Sequence, residues 1–387
     1  MQKRPHNIIV IPLKFTQDIQ LNTIEYSLES LITLKTRLNT TKSKLDSYES
    51  HMLSKFQRIL DIHGSIKYRL SEFNTQIVTN AWLKYWEIFT YFKLVNEKTK
   101  VAFFNAELPG AALCAFNHYM KTVVKQNYTW RASSLFPDKI DTTNTALDDR
   151  YGLYTHNKDN WMMDSAKNNG DMTILSNILD YVNRLQIEFS GVDFYSHDAG
   201  MGLDNDYNNQ ELINAKLNLG CALCGLLTLK KVGNFNAKQY TFFETFTWNL
   251  IFIYSKLFEE FYITKPLTSR PVNSEIYLIG KGFLGISDNI KEILINRLQN
   301  FNTLPLIEFA LVKQDLLSLG ELERAARVIY LTQILTLDEN IQLIEKYKFK
   351  TKELQQLLEP TKNETTIKWL RANPIPVLQL NDKLRTN

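Results

Sequence analysis

The chain has 387 residues, and its 45 lysines and arginines against 41 aspartates and glutamates leave a net charge of +4. Hydrophobic residues at 44% and aromatics at 12% suffice for a sizeable core in one large domain or two ordinary ones, and exclude global disorder. So small a charge excess excludes a histone-like basic coat while leaving room for a local basic groove.

Residues 1–75 read as helical after a short extended start. Leu28, Leu31, Leu34 and Leu38 recur at three- and four-residue spacing, as do Leu45, Met52, Phe56, Ile59 and Leu60. The apolar run 8–13 is too short for a signal peptide, and no small-residue cleavage site follows it. The texture changes near residue 76. A helix over 81–92 leads to a strand at 100–105, a Pro109-Gly110 turn, a helix over 111–125 and a strand over 128–133. A polar, Asn- and Asp-rich stretch fills 137–170. A helix over 174–189, a strand at 192–198, a helix over 210–229 and a short strand near 235–238 follow. A helix over 245–261 and strands at 261–265 and 275–280 close the series. Strands alternating with helices predict an α/β sheet with helices on both faces. Residues 288–387 return to helical periodicity, with breaks expected at Pro305, Pro360, Pro374 and Pro376. The predicted organisation is a helical extension over 1–75, a central domain over 76–287 and a helical region over 288–387. There is no internal repeat. There is also no run of 18 apolar residues, so no membrane span is expected.

In open α/β sheets, ligands sit at the C-terminal ends of the strands. Three segments fall there: Glu107-Leu108-Pro109-Gly110, Asp198-Ala199-Gly200 and Lys238. Glu275 starts the last strand. Pro109-Gly110 lets backbone approach a ligand closely, though it is neither a G-x-G-x-x-G fingerprint nor a Walker loop. A carboxylate such as Glu107 at the mouth of that turn can hold an amino group or a ribose hydroxyl. Asp198 reads as a helix cap or a working group, and a lone Lys238 reads most simply as solvated. Cys221-x-x-Cys224 has no second pair and no nearby His, so both cysteines, with Cys114, are expected as buried thiols in a reducing compartment. No metal site is predicted.

Taken together, the motifs resemble the FtsJ-type RNA 2′-O-ribose methyltransferases. The likeness is to cap-specific members, namely the animal enzyme for the second cap nucleotide and asfarvirus-like proteins of large DNA viruses. It rests on Ala81-Trp82-Leu83-Lys84-Tyr85-Trp86-Glu87-Ile88, the turn Asn105-Ala106-Glu107-Leu108-Pro109-Gly110-Ala111 and Phe116-Asn117-His118-Tyr119. Further matches are Trp130-Arg131-Ala132-Ser133-Ser134-Leu135, Asn169-Gly170-Asp171-Met172-Thr173, Ser196-His197-Asp198-Ala199-Gly200 and Asp206-Tyr207-Asn208-Asn209-Gln210-Glu211. The strongest is Lys265-Pro266-Leu267-Thr268-Ser269-Arg270-Pro271-Val272-Asn273-Ser274-Glu275. Residues 76–283 are covered.

The resemblance implies a Rossmann-like, S-adenosylmethionine-dependent methyltransferase sheet with helical N- and C-terminal extensions. It implies a Lys-Asp-Lys-Glu tetrad at Lys84, Asp198, Lys238 and Glu275. For the third position Lys230 and Lys231 compete, but Lys230 falls on what looks like the preceding helix, and Lys238 is chosen. The cofactor would be held by Glu107, Leu108, Pro109, Gly110 and Asp171, with Asp149 a weaker candidate. Phe104 stands where the family's turn commonly has Asp. His197 is expected as a packing or capping residue. Lys265 and Arg270 are the expected RNA contacts. The implied substrate is capped mRNA, methylated on its first or second nucleotide, in the cytoplasm or, for a viral protein, the host cytoplasm or virion. Other capping or transcription proteins are further partners it allows. Methylation of ribosomal or transfer RNA, or a catalytically silent RNA- or partner-binding module, are the rival readings.

A ribose hydroxyl is a poor nucleophile at neutral pH, so such an enzyme must align it and ease loss of its proton. A lysine, ordinarily near ~10.4, must be depressed to act as a base, and burial beside a second lysine pushes that way. Charge is uneven along the chain. Residues 1–75 carry 11 basic and 7 acidic residues, 76–287 carry 20 and 21, and 346–387 carry 9 and 4. The two ends are therefore expected to supply much of the RNA-facing charge.

Overall fold

The computed structural model describes residues 8–14, 29–136, 149–163, 167–201, 208–303 and 316–384. Leu28, Pro305, the pair Asp206-Tyr207 and residues 137–148 and 164–166 of the polar stretch lie outside them.

In chain order the elements are β1 (Ile9–Leu13), α1 (Glu29–Ser43), α2 (Ser50–Leu60), α3 (Ile66–Arg69), α4 (Asn80–Phe92), β2 (Val101–Asn105), α5 (Ala111–Tyr119) and β3 (Thr129–Ala132). Then come α6 (Leu153–His156), α7 (Leu175–Phe189), β4 (Val192–His197), α8 (Gln210–Ile213), α9 (Ala215–Thr228), β5 (Leu229–Gln239) and α10 (Thr245–Lys256). The last are β6 (Phe258–Lys265), β7 (Ile276–Phe283), α11 (Asp288–Gln299), α12 (Leu316–Tyr347) and α13 (Thr351–Ala372).

The strands form one seven-stranded sheet in the order β1-β6-β7-β5-β4-β2-β3. β3, β2, β4 and β5 are mutually parallel, whereas β7, β6 and β1 pair antiparallel to their neighbours. The parallel strands are joined through helices and buried on both faces; all five residues of β2 are buried. Only a loop joins β6 to β7, which permits their antiparallel pairing. β1 adds an edge strand, with Ile11 opposite Ile263, so the N-terminal segment is stitched into the central sheet.

One face of the sheet packs against α1, α7 and α9 to α12 through a core that includes Leu34, Ile178, Leu219, Ile251 and Ile329. The other face packs against α4 and α5 through Trp82, Trp86, Phe89 and Phe116, and Trp369 of α13 joins it. A smaller cluster ties α2 to α12 and α13 through Phe56, Ile59, Ile344, Leu354 and Leu358. Thr79 caps α4 by accepting from the Ala81 N–H, and Ser287 caps α11 by accepting from Ile290.

Three expectations change. Pro360 lies inside α13 and does not end it. β5 begins at Leu229, so Lys230 sits on a strand and not on the preceding helix. The expected 210–229 helix is interrupted at Asn214, between α8 and α9. Cys114, Cys221 and Cys224 are buried free thiols on α5 and α9.

Candidate active site

The C-terminal ends of β2, β4 and β5 point the same way as the start of antiparallel β7, and the designated residues gather at this rim. Register does most of this. β4 and β5 pair with His197 opposite Ala237, which brings the next residues, Asp198 and Lys238, side by side. β5 and β7 pair Lys238 with Tyr277, which sets Glu275 just beyond. Lys84 reaches in from α4.

The four groups form two linked ion pairs. Lys84 Nζ donates to Glu275 Oε1 at 2.6 Å. Lys238 Nζ donates to the Asp198 carbonyl at 2.6 Å and lies 3.4 Å from its carboxylate. The Tyr277 hydroxyl joins the pairs, lying 3.2 Å from Asp198 Oδ1 and 3.3 Å from Glu275 Oε1. Ser269 Oγ donates to the same Glu275 oxygen at 3.0 Å. The Lys238 ammonium lies 5.6 Å from the centre of the Tyr240 ring. A β-carbon at Gly200 would lie 2.1 Å from the Tyr240 hydroxyl and 3.4 Å from Lys238 Nζ, so only glycine leaves this corner open.

Electrostatics revise one expectation. Burial opposes the charge on Lys238, but Asp198, Tyr240 and Glu275 outweigh it and hold its pKa above the ordinary lysine value. Lys238 is therefore not a depressed base in this resting arrangement. Burial alone would raise Glu275, yet Lys84 and Lys238 hold its carboxyl down at about 2. Burial and the Lys238 charge push His197 down to about 3, so the imidazole is neutral and buried, in keeping with a packing role.

The 105–111 turn lies beside this rim, where the Asp198 N–H donates to the Asn105 carbonyl at 3.3 Å. Gly110 adopts φ 104°, and a β-carbon there would lie 2.1 Å from Leu153. The Leu108 N–H donates to Ser134 Oγ at 2.8 Å, and Gly170 packs on the Ser134 carbonyl. The turn, Ser133-Ser134 and 169–173 thus converge. Glu107 is buried, and its Oε1 accepts from the Leu113 N–H at 2.7 Å, so the carboxylate caps α5. Burial raises its pKa well above the carboxylate range. Asp171 Oδ1 accepts from the Thr173 N–H and hydroxyl, both at 2.8 Å. Phe104 packs against Phe116 and Phe194, which accounts for an apolar residue where an acid is common.

The two residues expected to meet RNA part company. Lys265 is buried and spends three donors inward, on the Asn273 carbonyl (2.9 Å), Asn273 Oδ1 (2.9 Å) and the Glu275 carbonyl (2.8 Å). No donor remains for a phosphate, and Lys265 instead pins the 266–275 loop that carries Glu275. Arg270 is partly exposed, and its guanidinium has no hydrogen-bond or ion-pair partner among the described residues. The same loop is held from behind by buried Glu87, which accepts from the Leu267 N–H (2.7 Å), the Thr268 N–H (3.0 Å) and Trp369 Nε1 (2.9 Å).

Sequence reasoning missed Tyr240, Tyr277, Ser269 and Glu87. A signal existed for the tyrosines. Each lies two residues after a designated group on extended chain, and the period-2 rule puts such residues on one face.

The family model described as FtsJ-like methyltransferase matches residues 77–283. "Probable methyltransferase EP424R" of African swine fever virus (isolate Pig/Kenya/KEN-50/1950) is 37% identical over 364 residues, covering 90% of this chain and 84% of that protein. "Cap-specific mRNA (nucleoside-2'-O-)-methyltransferase 2" of Drosophila melanogaster is 31% identical over 261 residues, covering 66% of this chain and 37% of that protein. The chain belongs to the FtsJ-like methyltransferase family, whose methyl donor is S-adenosylmethionine. The site fits that cofactor. Asn105 Oδ1, at the end of β2 where the 105–111 turn begins, is a buried acceptor without a partner among the described residues. No described helix is long and apolar enough to cross a membrane.

Proposed function

We propose that this protein methylates the ribose 2′-hydroxyl of the first or second transcribed nucleotide of capped mRNA, in the cytoplasm of a host cell or in a virion. The observation that carries this reading is the pair of partly buried Lys–acid contacts, Lys84–Glu275 and Lys238–Asp198, joined through Tyr277 at the strand ends. The activity that the Drosophila relative is named for supports the cap-proximal substrate. The viral relative supports the setting.

Lys84, Asp198, Lys238 and Glu275 are the catalytic residues in this proposal. The cofactor would be held by Asn105, Glu107, Leu108, Pro109, Gly110 and Asp171. When bound, it would supply a methyl group on a positively charged sulfonium, whose sulfur departs as a neutral thioether. Lys238, held charged by its acids, donates to the 2′-oxygen and fixes the lone pair for in-line attack. The same charge stabilises negative charge as it develops on that oxygen. Asp198, 3.4 Å from Lys238, takes up the hydroxyl proton as the oxygen–methyl bond forms and then passes it to solvent. Lys84 neutralises Glu275 and so keeps Tyr277 and Asp198 in register. The expected domain division follows the same logic: 76–287 carries the chemistry, and the helical regions 1–75 and 288–387 carry substrate contacts.

The test is methyl transfer to capped and uncapped RNA with mapping of the product. Label on a cap-proximal 2′-oxygen supports the reading. Transfer restricted to ribosomal or transfer RNA, or cofactor binding without transfer to any RNA, overturns it.

A further inference from the structure

A cleft of about 830 Å³ opens beside the tetrad at Glu275 and Tyr240. One wall is the loop 270–275. The other walls are residues 42–63, from the end of α1 through α2, and the 336–344 stretch of α12. Those two walls lie outside the 77–283 match, so the cleft is built by this chain's own extensions around the family site.

Two cations on the cleft differ from the lysines of the site. Lys84, Lys238 and Lys265 are each satisfied by protein acceptors. The Lys42 ammonium and the Arg270 guanidinium have no hydrogen-bond or ion-pair partner among the described residues. Lys42 is half-buried, and burial pushes its pKa down to about 8. Both line the same cleft, and both lie close enough to the Lys265 ammonium to disfavour its charge. The cleft's acids are placed otherwise. Glu275 is bonded to Lys84, Asp61 Oδ1 accepts from the His63 N–H at 3.1 Å, and Asp46 is exposed. A desolvated cation without a counter-ion carries an energetic cost that a bound anion removes.

We propose that the cleft receives the RNA strand adjoining the target ribose, and that Lys42 of the N-terminal extension and Arg270 hold its phosphates. This rests on the RNA-methyltransferase reading above. It names a phosphate-binding residue that lies outside the family domain. A single-stranded segment suits the site, because its phosphates can follow a groove without base-specific contacts.

Point variants are the test, because deleting 1–75 would also remove β1 from the sheet. Binding of a short capped oligoribonucleotide is measured against salt for the wild type, Lys42→Ala, Arg270→Ala and the double variant. Lys55→Ala on the exposed face of α2 serves as the control. Each site variant should bind about tenfold more weakly, as for loss of a charge-assisted contact. Each should also lower the salt slope by about 0.7–1. The KM for RNA should rise while kcat and S-adenosylmethionine affinity hold, and the unchanged cofactor affinity reports that the fold is intact. Should a variant lose cofactor affinity, Lys42→Gln and Arg270→Gln replace it. Wild-type RNA affinity and salt slope in both single variants, alongside an active wild type, overturn this inference alone. A wild type that neither binds nor methylates RNA overturns it together with the reading beneath it.

Discussion

β4 and β5 carry two Lys–Asp pairs, one at each end, with nearly the same separation: Lys230–Asp193 at 3.5 Å and Lys238–Asp198 at 3.4 Å. Their surroundings differ. Lys230 is 32% exposed at the N-terminal end, and Asp193 Oδ2 is engaged by the Lys100 and Val101 N–H groups at 2.8 Å each. That pair ties strand ends together. Lys238 is 11% exposed, and its partner belongs to a network that includes Tyr277, Glu275 and Lys84. The lesson is that residue type and spacing are not the site. The site is the end of the sheet where several elements deliver charged groups into one half-dry corner.

The largest test of this contrast is charge removal at each end. Lys238→Ala should lower methyl transfer by about 10²–10³-fold, the range for loss of a donor that stabilises charge developing on the reacting oxygen. S-adenosylmethionine affinity, followed by calorimetry, should stay near wild type. Lys230→Ala should leave the rate unchanged; equal losses at both ends would remove the distinction. Tyr277→Phe deletes only the hydroxyl between the two acids. A drop of about tenfold in kcat is expected, from roughly 1.5 kcal/mol for a hydrogen bond to a charged group. A rate equal to wild type would show that the two pairs work independently.

A smaller effect should follow from Trp369→Phe, which removes the indole N–H from Glu87 and loosens the 266–275 loop from behind. Unfolding by urea should show a loss of about 1 kcal/mol, with kcat reduced and the KM for RNA altered less. The smallest is a pH effect. The Glu275 carboxyl is held at about 2, below its unfolded value. Its stabilisation is complete above the unfolded carboxylate pKa and is lost as pH falls through about 2. Glu275→Gln should therefore flatten the acid side of the stability profile, and an unchanged acid limb would contradict this.

Much of the fold was legible because its signals are local. Apolar periodicity marks α4, α7 and the buried strands, and the order of strands and helices predicts an α/β sheet with helical ends. The tetrad positions were reached through motif resemblance, and β-register then explains why Asp198 and Lys238 meet across 40 residues of chain. Long-range packing was not legible. Nothing local in 9–13 says that it will pair with β6, and Pro360 is tolerated because α13 is held by its neighbours. Lys265 looked like a surface cation because sequence does not reveal three backbone and side-chain acceptors folding around it. The direction of the Lys238 shift was misjudged for a related reason. Burial and the second lysine were foreseen, but the combined pull of Asp198, Tyr240 and Glu275 depends on their convergence.

Transfer of a radiolabelled methyl group from S-adenosylmethionine to matched capped and uncapped RNA, followed by nuclease mapping, addresses the proposed chemistry most directly. The expected result is label on the 2′-oxygen of the first or second nucleotide of the capped RNA, absent with Lys238→Ala. Label confined to internal positions of ribosomal or transfer RNA, or tight cofactor binding with no label on any RNA, would contradict it.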